Sequence, residues 1–220
     1  MSIEATRVII RALWIWPFLA AVFAGLVFTG FAHGPWNYCW FFAMGCDAVL
    51  GVYWSLAACA ARQITPSPGC CVARLTSVVP QVLYCLPLSS IPILGQRIFP
   101  HNVTVEILGA LMSAVGVGFA IWSRRILAGN WRPAAALPEG HTLVRSGPYS
   151  IVRHPIYLGM LVTWVGMFLV LGEVRALVCF WHAEKLLKRM MAEESILRET
   201  YPKDYPDYER SVKRLVPCIW

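Results

Sequence analysis

Apolar stretches about as long as a membrane span recur along this chain, separated by short polar breaks. A spanning helix needs about 20 mostly apolar residues. Four stretches meet that requirement: Leu13 to Ala32, Trp36 to Ala60, Val72 to Leu94 and Val103 to Trp122. A fifth, Pro155 to Leu171, is just long enough. Composition agrees, with 58% hydrophobic and 14% charged residues, where a soluble domain averages about 25% charged. The expected fold is all-α: a polytopic membrane helical bundle of about four spanning helices, plus a C-terminal helical hairpin with a cytoplasmic extension. We read 1–220 as a single integral membrane domain, with membrane helices in 1–123 and a more polar functional part in 124–220.

Breaks within the apolar runs refine this layout. The third run holds Pro80, Pro87 and Pro92, so it should be kinked and rely on neighbours to satisfy its backbone. Asp47 is the only charge in the second run, and an ionisable group at that depth is functional or paired by default. The fourth run carries Gly109, Gly116 and Gly118; small residues in a spanning helix usually serve packing. A Pro- and Gly-rich polar stretch, Arg124 to Arg153, follows it. After Pro155 to Leu171, Gly172-Glu173-Val174 reads as a tight turn, and Arg175 to about Tyr201 as one long helix.

With the N-terminus inside, nearly all Lys and Arg fall on the cytoplasmic side, and only Arg97 and Arg175 lie outside. Basic residues concentrate in cytoplasmic loops, so both termini are expected there. The net charge of +7 then reflects membrane topology. With no lysine-rich tail and no zinc-finger spacing, a nucleic-acid partner is not expected. The eight cysteines are scattered without a C-x-x-C pair or metal-ligand spacing, which suits reduced structural thiols; no metal is expected. The first apolar run is read as a retained helix, because no small-residue cleavage site follows it.

Two constellations carry chemistry. The first is Gly147-Pro-Tyr-Ser-Ile-Val-Arg-His-Pro-Ile-Tyr-Leu-Gly159. Proline is favoured at the first position of a helix, so Arg153 and His154 should sit at a helix N-terminus. Free N–H groups and the helix dipole favour anions there, and Tyr149 and Tyr157 supply hydroxyls nearby. An Arg-His pair at this place also serves as a headgroup anchor. The second constellation is Arg189-Met-Met-Ala-Glu193-Glu194-Ser-Ile-Leu197. Arg189 and Glu193 share a helix face, which by itself makes a surface ion pair. The hairpin should bring both constellations to one membrane face, where they suit a ligand with an anionic and a cationic group. The polar, aromatic tail from Tyr201 to Pro217 either covers that mouth or anchors at the interface.

Together, Gly-Pro-Tyr-x-x-x-Arg-His-Pro-x-Tyr-x-Gly, a hydrophobic hairpin, Arg-x-x-x-Glu-Glu-x-x-Leu and a closing Tyr-x-x-Tyr and Val-x-Arg-Leu-Val-Pro resemble the isoprenylcysteine carboxyl methyltransferase and phospholipid methyltransferase superfamily. The resemblance covers Leu143 to Pro217. It implies an integral membrane methyltransferase using S-adenosyl-L-methionine, with 124–220 as the cofactor-binding catalytic part. It implies cofactor binding by His154, Tyr157, Glu193 and Glu194, with Tyr149 and Arg153 beside them, and it places Arg189 where the carboxyl methyltransferases carry an Arg that handles the substrate carboxylate. The second limb departs from the family in its polar His182-Ala-Glu184-Lys185.

The residues fit that chemistry. Methyl transfer from a sulfonium is an in-line displacement that needs positioning more than covalent catalysis. A carboxylate acceptor is already ionised at neutral pH and needs a cation to orient it, for which Arg189 is the candidate. An amine acceptor would need a proton acceptor, such as Glu193 or His182. The expected activity is methyl transfer to a lipid-like membrane acceptor, a carboxylate such as a prenylcysteine-type C-terminal carboxyl group. The alternatives are a phospholipid amine N-methyltransferase and a nicotinamide-dependent membrane reductase of related fold.

Overall fold

Regular structure in the computed structural model is helical throughout the described residues, which are 38–60 (backbone alone at 55–60), 93, 95–127 and 143–217. In chain order they form α1 (Tyr38–Ala60), α2 (Val103–Leu127), a 3-10 turn (Gly147–Ser150), α3 (Pro155–Leu171), a second 3-10 turn (Val174–Leu177), α4 (Val178–Thr200) and α5 (Asp204–Ser211). The runs Leu13 to Ala32 and, apart from Ile93, Val72 to Leu94 lie outside the described residues, as do Cys70, Cys71, Cys85 and Cys218. Cys39, Cys46 and Cys179 are free thiols. Among the described residues, α2 is the helix long and apolar enough to cross a membrane, and α3 is a shorter apolar helix.

The α2–α3 pair is the spine of the fold. It runs antiparallel, with Gly109 facing Gly166 and Gly116 facing Gly159. A Cβ added at Gly116 would lie 2.5 Å from Thr163 Oγ1 and 2.6 Å from the Gly159 carbonyl. The backbones therefore touch, as small residues permit. Ser113 Oγ donates to the Gly109 carbonyl at 3.0 Å and to the Thr163 carbonyl at 3.3 Å, and Thr163 Oγ1 donates to the Gly159 carbonyl at 2.9 Å. These buried hydroxyls are thus satisfied inside the seam. Gly118 meets nothing within 4 Å, so of the Gly116–Gly118 pair only Gly116 serves the packing.

α1 lies against both helices. Trp40, Ala43 and Met44 pack with Ala110, Met167, Val170 and Leu171, while Leu50 packs with Val117 and Ala120. α1 is therefore parallel to α2, and the segment joining them begins and ends at opposite ends of the bundle. Asp47 is buried on the inner side of α1 with no hydrogen-bond partner among the described residues. The outer face of α2 presents Ile107, Leu108, Leu111, Val115, Trp122 and Ile126.

Two element boundaries differ from the sequence reading. α2 continues through Arg124 and Arg125 to Leu127, because cations in a last turn complement the helix dipole and neither residue breaks a helix. The long last helix begins as a 3-10 turn at Val174–Leu177 before α4; Arg175 is turned inward there to pair with Glu173 at 2.7 Å.

The hairpin forms as expected. Gly172 ends α3 with φ +60°, a left-handed conformation that glycine adopts without steric cost. Its carbonyl accepts from Ile98 N at 2.7 Å, and Val174 N donates to the Gln96 carbonyl at 2.9 Å. The segment before α2 is thereby tied to the hairpin turn. At this end Glu106 faces His101 at 2.8 Å and Arg97 at 3.9 Å. The two arginines that break the basic-side pattern, Arg97 and Arg175, thus each meet a carboxylate.

Candidate functional site

The other end of the bundle gathers both sequence constellations. Gly147, with φ +61°, starts the 3-10 turn, and Ser150 Oγ donates back to the Gly147 carbonyl at 2.7 Å. The turn buries Pro148 and Tyr149. The chain then enters α3 with His154 at the N-cap and a proline in the first turn. The tail runs alongside. Val152 and Lys213 form a parallel bridge, Arg153 N donates to the Lys213 carbonyl at 2.8 Å, and His154 N donates to the Arg214 carbonyl at 3.1 Å. Tyr208 OH donates to the Tyr149 carbonyl at 2.7 Å, and Arg145 Nη2 donates to the Asp204 carbonyl at 2.7 Å. Tyr205, Tyr208 and Leu215 are buried by this packing. The tail therefore covers the mouth of α3, the first of the two arrangements expected for it.

Under the tail lies a charge knot centred on Glu194, which is 1% exposed. Its Oε1 accepts from Arg153 Nε at 3.1 Å and Nη2 at 2.9 Å, and from His154 Nε2 at 3.1 Å. Its Oε2 accepts from Arg214 Nη2 at 2.7 Å and Arg198 Nη2 at 3.4 Å. Burial opposes ionisation here, but hydrogen bonds from His154, Arg214 and Arg153 outweigh it and hold the carboxyl well below the ordinary glutamate range. Arg153 is equally committed: its Nη1 donates to the carbonyls of Glu209 at 3.0 Å and Val212 at 2.7 Å. All three of its side-chain nitrogens are engaged. Glu209 closes the knot by accepting from Arg198 Nη2 at 2.6 Å.

One residue away, Glu193 is set differently. It is 25% exposed by its side chain. Its Oε1 accepts from Tyr157 OH at 2.6 Å and Arg189 Nε at 2.9 Å, while Oε2 accepts from nothing among the described residues. Arg189 is 45% exposed. The Tyr157 ring stacks on His154, with centroids 5.5 Å apart and planes 9° from parallel. Tyr149 is buried near this group; burial, then Tyr208, pushes its hydroxyl ionisation upward against the pull of Arg124. It remains a neutral donor.

All seven sequence-expected residues thus meet at this end: Tyr149, Arg153, His154, Tyr157, Arg189, Glu193 and Glu194. Sequence reasoning passed over Arg198, Glu209 and Tyr208, and gave Arg214 no role beyond its place in the closing motif. The i,i+4 spacing of Glu194 and Arg198 was a usable signal. Nothing local links Glu194 to Arg214 across 20 positions. The polar patch on the second limb resolves into local partners. The His182 ring packs edge-on to Trp164 at 5.1 Å, Lys185 lies 3.7 Å over the Trp181 ring, and Glu184 pairs with Lys188 at 2.6 Å.

Residues 104–204 match the phospholipid methyltransferase family. The chain is 32% identical over 85 residues to a probable protein-S-isoprenylcysteine O-methyltransferase of Oryza sativa subsp. indica, covering 37% of this chain and 44% of the relative. It is 32% identical over 85 residues to protein-S-isoprenylcysteine O-methyltransferase B of Arabidopsis thaliana, covering 37% of this chain and 42% of the relative. It is also 25% identical over 127 residues to the cobalt-zinc-cadmium resistance protein CzcN of Cupriavidus metallidurans, covering 57% of this chain and 53% of that protein. The chain therefore spans about half the length of the curated relatives it matches. The matched residues 104–204, which hold both the His154 and the Glu193–Glu194 constellations, are thus similar to the phospholipid methyltransferase family.

Proposed function

We propose that this protein is an S-adenosylmethionine-dependent methyltransferase acting on a lipid-like membrane acceptor, with a carboxylate such as that of a prenylated cysteine as the methyl-accepting group. The observation that carries the reading is the convergence of Tyr157, Glu193 and Arg189 inside the family-matching segment. The donor set fits the cofactor's chemistry. Glu193 Oε2, which accepts from nothing among the described residues, suits an ammonium or a ribose hydroxyl, and Tyr149 and Tyr157 supply phenolic groups. In this reading Tyr149, His154, Tyr157 and Glu193 face the cofactor, and Arg153 and Glu194 stand behind them in the ion cluster.

When bound, the cofactor supplies an activated methyl group on a positive sulfur. The protein's task is to orient an acceptor in line with that group and to exclude water. Arg189 orients the acceptor carboxylate with a guanidinium whose planar fork matches a carboxylate's two oxygens. No general base is needed, because a carboxylate is ionised at neutral pH.

The setting we propose is a single polytopic membrane domain, with the site and both termini at the cytoplasmic face. The apolar outer face of α2 supports contact with lipid. The gathering of Arg124, Arg125, Arg145, Arg153 and the Lys and Arg residues of α4 at the site end supports the orientation.

Product chemistry tests the reading. Purified protein in lipid vesicles is given methyl-labelled S-adenosylmethionine, with either a farnesylcysteine analogue or phosphatidylethanolamine as acceptor. A methyl ester releases methanol in base, whereas an N-methyl amine does not. Base-labile label on the farnesylcysteine analogue is the expected result. Base-stable label on the phospholipid would move the acceptor class to amines. Absence of transfer, together with saturable NADPH binding, would overturn the methyltransferase reading in favour of a reductase.

A further inference from the structure

The two neighbouring glutamates are not equivalent, and the difference assigns roles to residues that the family motifs leave without one. Glu194 has both oxygens filled by Arg153, His154, Arg198 and Arg214. A buried carboxylate so surrounded has no lone pair left for a ligand, because a carboxylate offers about four acceptor sites. Glu194 does, however, touch His154, which belongs to the group that meets the open side. The His154 ring is fixed three ways. Its Nε2 lies 3.1 Å from Glu194 Oε1, its face is stacked on Tyr157, and its backbone N donates to the Arg214 carbonyl. An ionised carboxylate can only accept, so Nε2 must carry the proton. In the Nε2–H tautomer the lone pair is on Nδ1, which takes no partner among the described residues.

We infer that Glu194 is a positioning residue, and that Arg214 in the tail acts through it to hold His154 with Nδ1 as a hydrogen-bond acceptor for an N–H or O–H donor of the bound ligand. The Glu194 carboxylate stays fixed because Arg214 and Arg153 both hold it: Arg214 Nη2 donates to Oε2 while its Nε lies 3.1 Å from each oxygen, and Arg153 donates to Oε1. The tail thereby contributes to ligand affinity without touching the ligand. This inference rests on the proposed cofactor site, but its first test does not require the cofactor.

That test is the tautomer of His154. The full-length protein is labelled with ¹⁵N-histidine, and the ring signals of its five histidines are recorded at pH 8, with His154→Asn providing the assignment. The Nε2–H tautomer is expected for His154; the Nδ1–H tautomer would overturn the inference. The second test is a double-mutant cycle read by S-adenosylhomocysteine binding. His154→Ala and Arg214→Ala should each weaken binding by about tenfold, the scale of one lost charge-assisted contact. Because Arg214 acts through His154, the double variant should lose little beyond His154→Ala alone. Arg214→Lys should recover part of the loss. Fully additive losses, or a Lys variant as weak as the Ala variant, would show that Arg214 serves only to hold the fold and would overturn the inference. If the wild-type protein binds no S-adenosylhomocysteine, the cofactor reading fails, while the tautomer result still decides the role of Glu194.

Discussion

Glu193 and Glu194 are adjacent on α4, yet they belong to two regions with opposite characters. Glu194 sits buried in a knot where arginines from the α3 mouth, α4 and the tail converge. Glu193 is partly exposed, with one oxygen shared by Tyr157 and Arg189 and the other accepting from nothing among the described residues. A helix turns its side chain by about 100° per residue, and here that step separates a structural ion cluster from a surface able to take a ligand. A motif written as Glu-Glu therefore encodes two different jobs.

The sharpest way to break this contrast is to remove each carboxylate. Glu194→Ala should leave several arginines without their counter-ion in a buried place and cost about 3–5 kcal/mol. Glu193→Ala removes a partly solvated pair and should cost no more than about 1 kcal/mol. Chemical denaturation in detergent measures both, and equal losses would erase the distinction. The contrast also requires a fixed support, since both regions hang from the start of α3 and the end of α4. Gly116→Ala would force a Cβ to within 2.6 Å of Gly159 and Thr163 backbone atoms and should destabilise by about 1–3 kcal/mol. Gly118→Ala, with open space around it, should be neutral or slightly stabilising; the same assay compares them.

Arg189→Ala probes the open side. It should leave S-adenosylhomocysteine binding nearly intact and lower turnover by roughly tenfold, about 1.4 kcal/mol of lost transition-state stabilisation. Unchanged turnover on every accepted substrate would remove its carboxylate-orienting role. The smallest effect expected is with pH. The folded-state pKa of Glu194 is depressed, so its contribution to stability is fully present above the unfolded value of about 4.3. That contribution is lost only as pH falls from there through the lower folded value. Unfolding midpoints should therefore show no Glu194-dependent change between pH 8 and pH 5. A Glu194-dependent decline should appear below about pH 4, and Glu194→Gln should lack it.

Much of this arrangement is legible in the chain. Pro155 after Arg153-His154 marks the start of α3, Gly172 marks its end, and the hairpin follows from two helices joined by a short turn. The meeting of Tyr157 with Glu193 follows from the hairpin's antiparallel geometry. What sequence periodicity does not reveal is which of two adjacent glutamates is buried, because that depends on the tail. The tail's polar composition hides a short helix whose Tyr205 and Tyr208 turn inward. The partnership of Arg214 with Glu194 is a tertiary contact without a local spacing rule. The tight α2–α3 seam is half legible: Gly116 reads as a packing residue, but so does Gly118, which meets nothing, and the partners Gly159 and Gly166 emerge only when the helices are set side by side.

The most direct test of the central claim is a calorimetric titration of the detergent-purified protein with S-adenosylhomocysteine, run on the wild type and on Glu193→Gln. The account predicts saturable binding to the wild type. It predicts binding weakened by about tenfold in the variant, the cost of one charge-assisted hydrogen bond, with the unfolding midpoint unchanged. Full affinity in Glu193→Gln, or no binding by a folded wild-type protein, would contradict it.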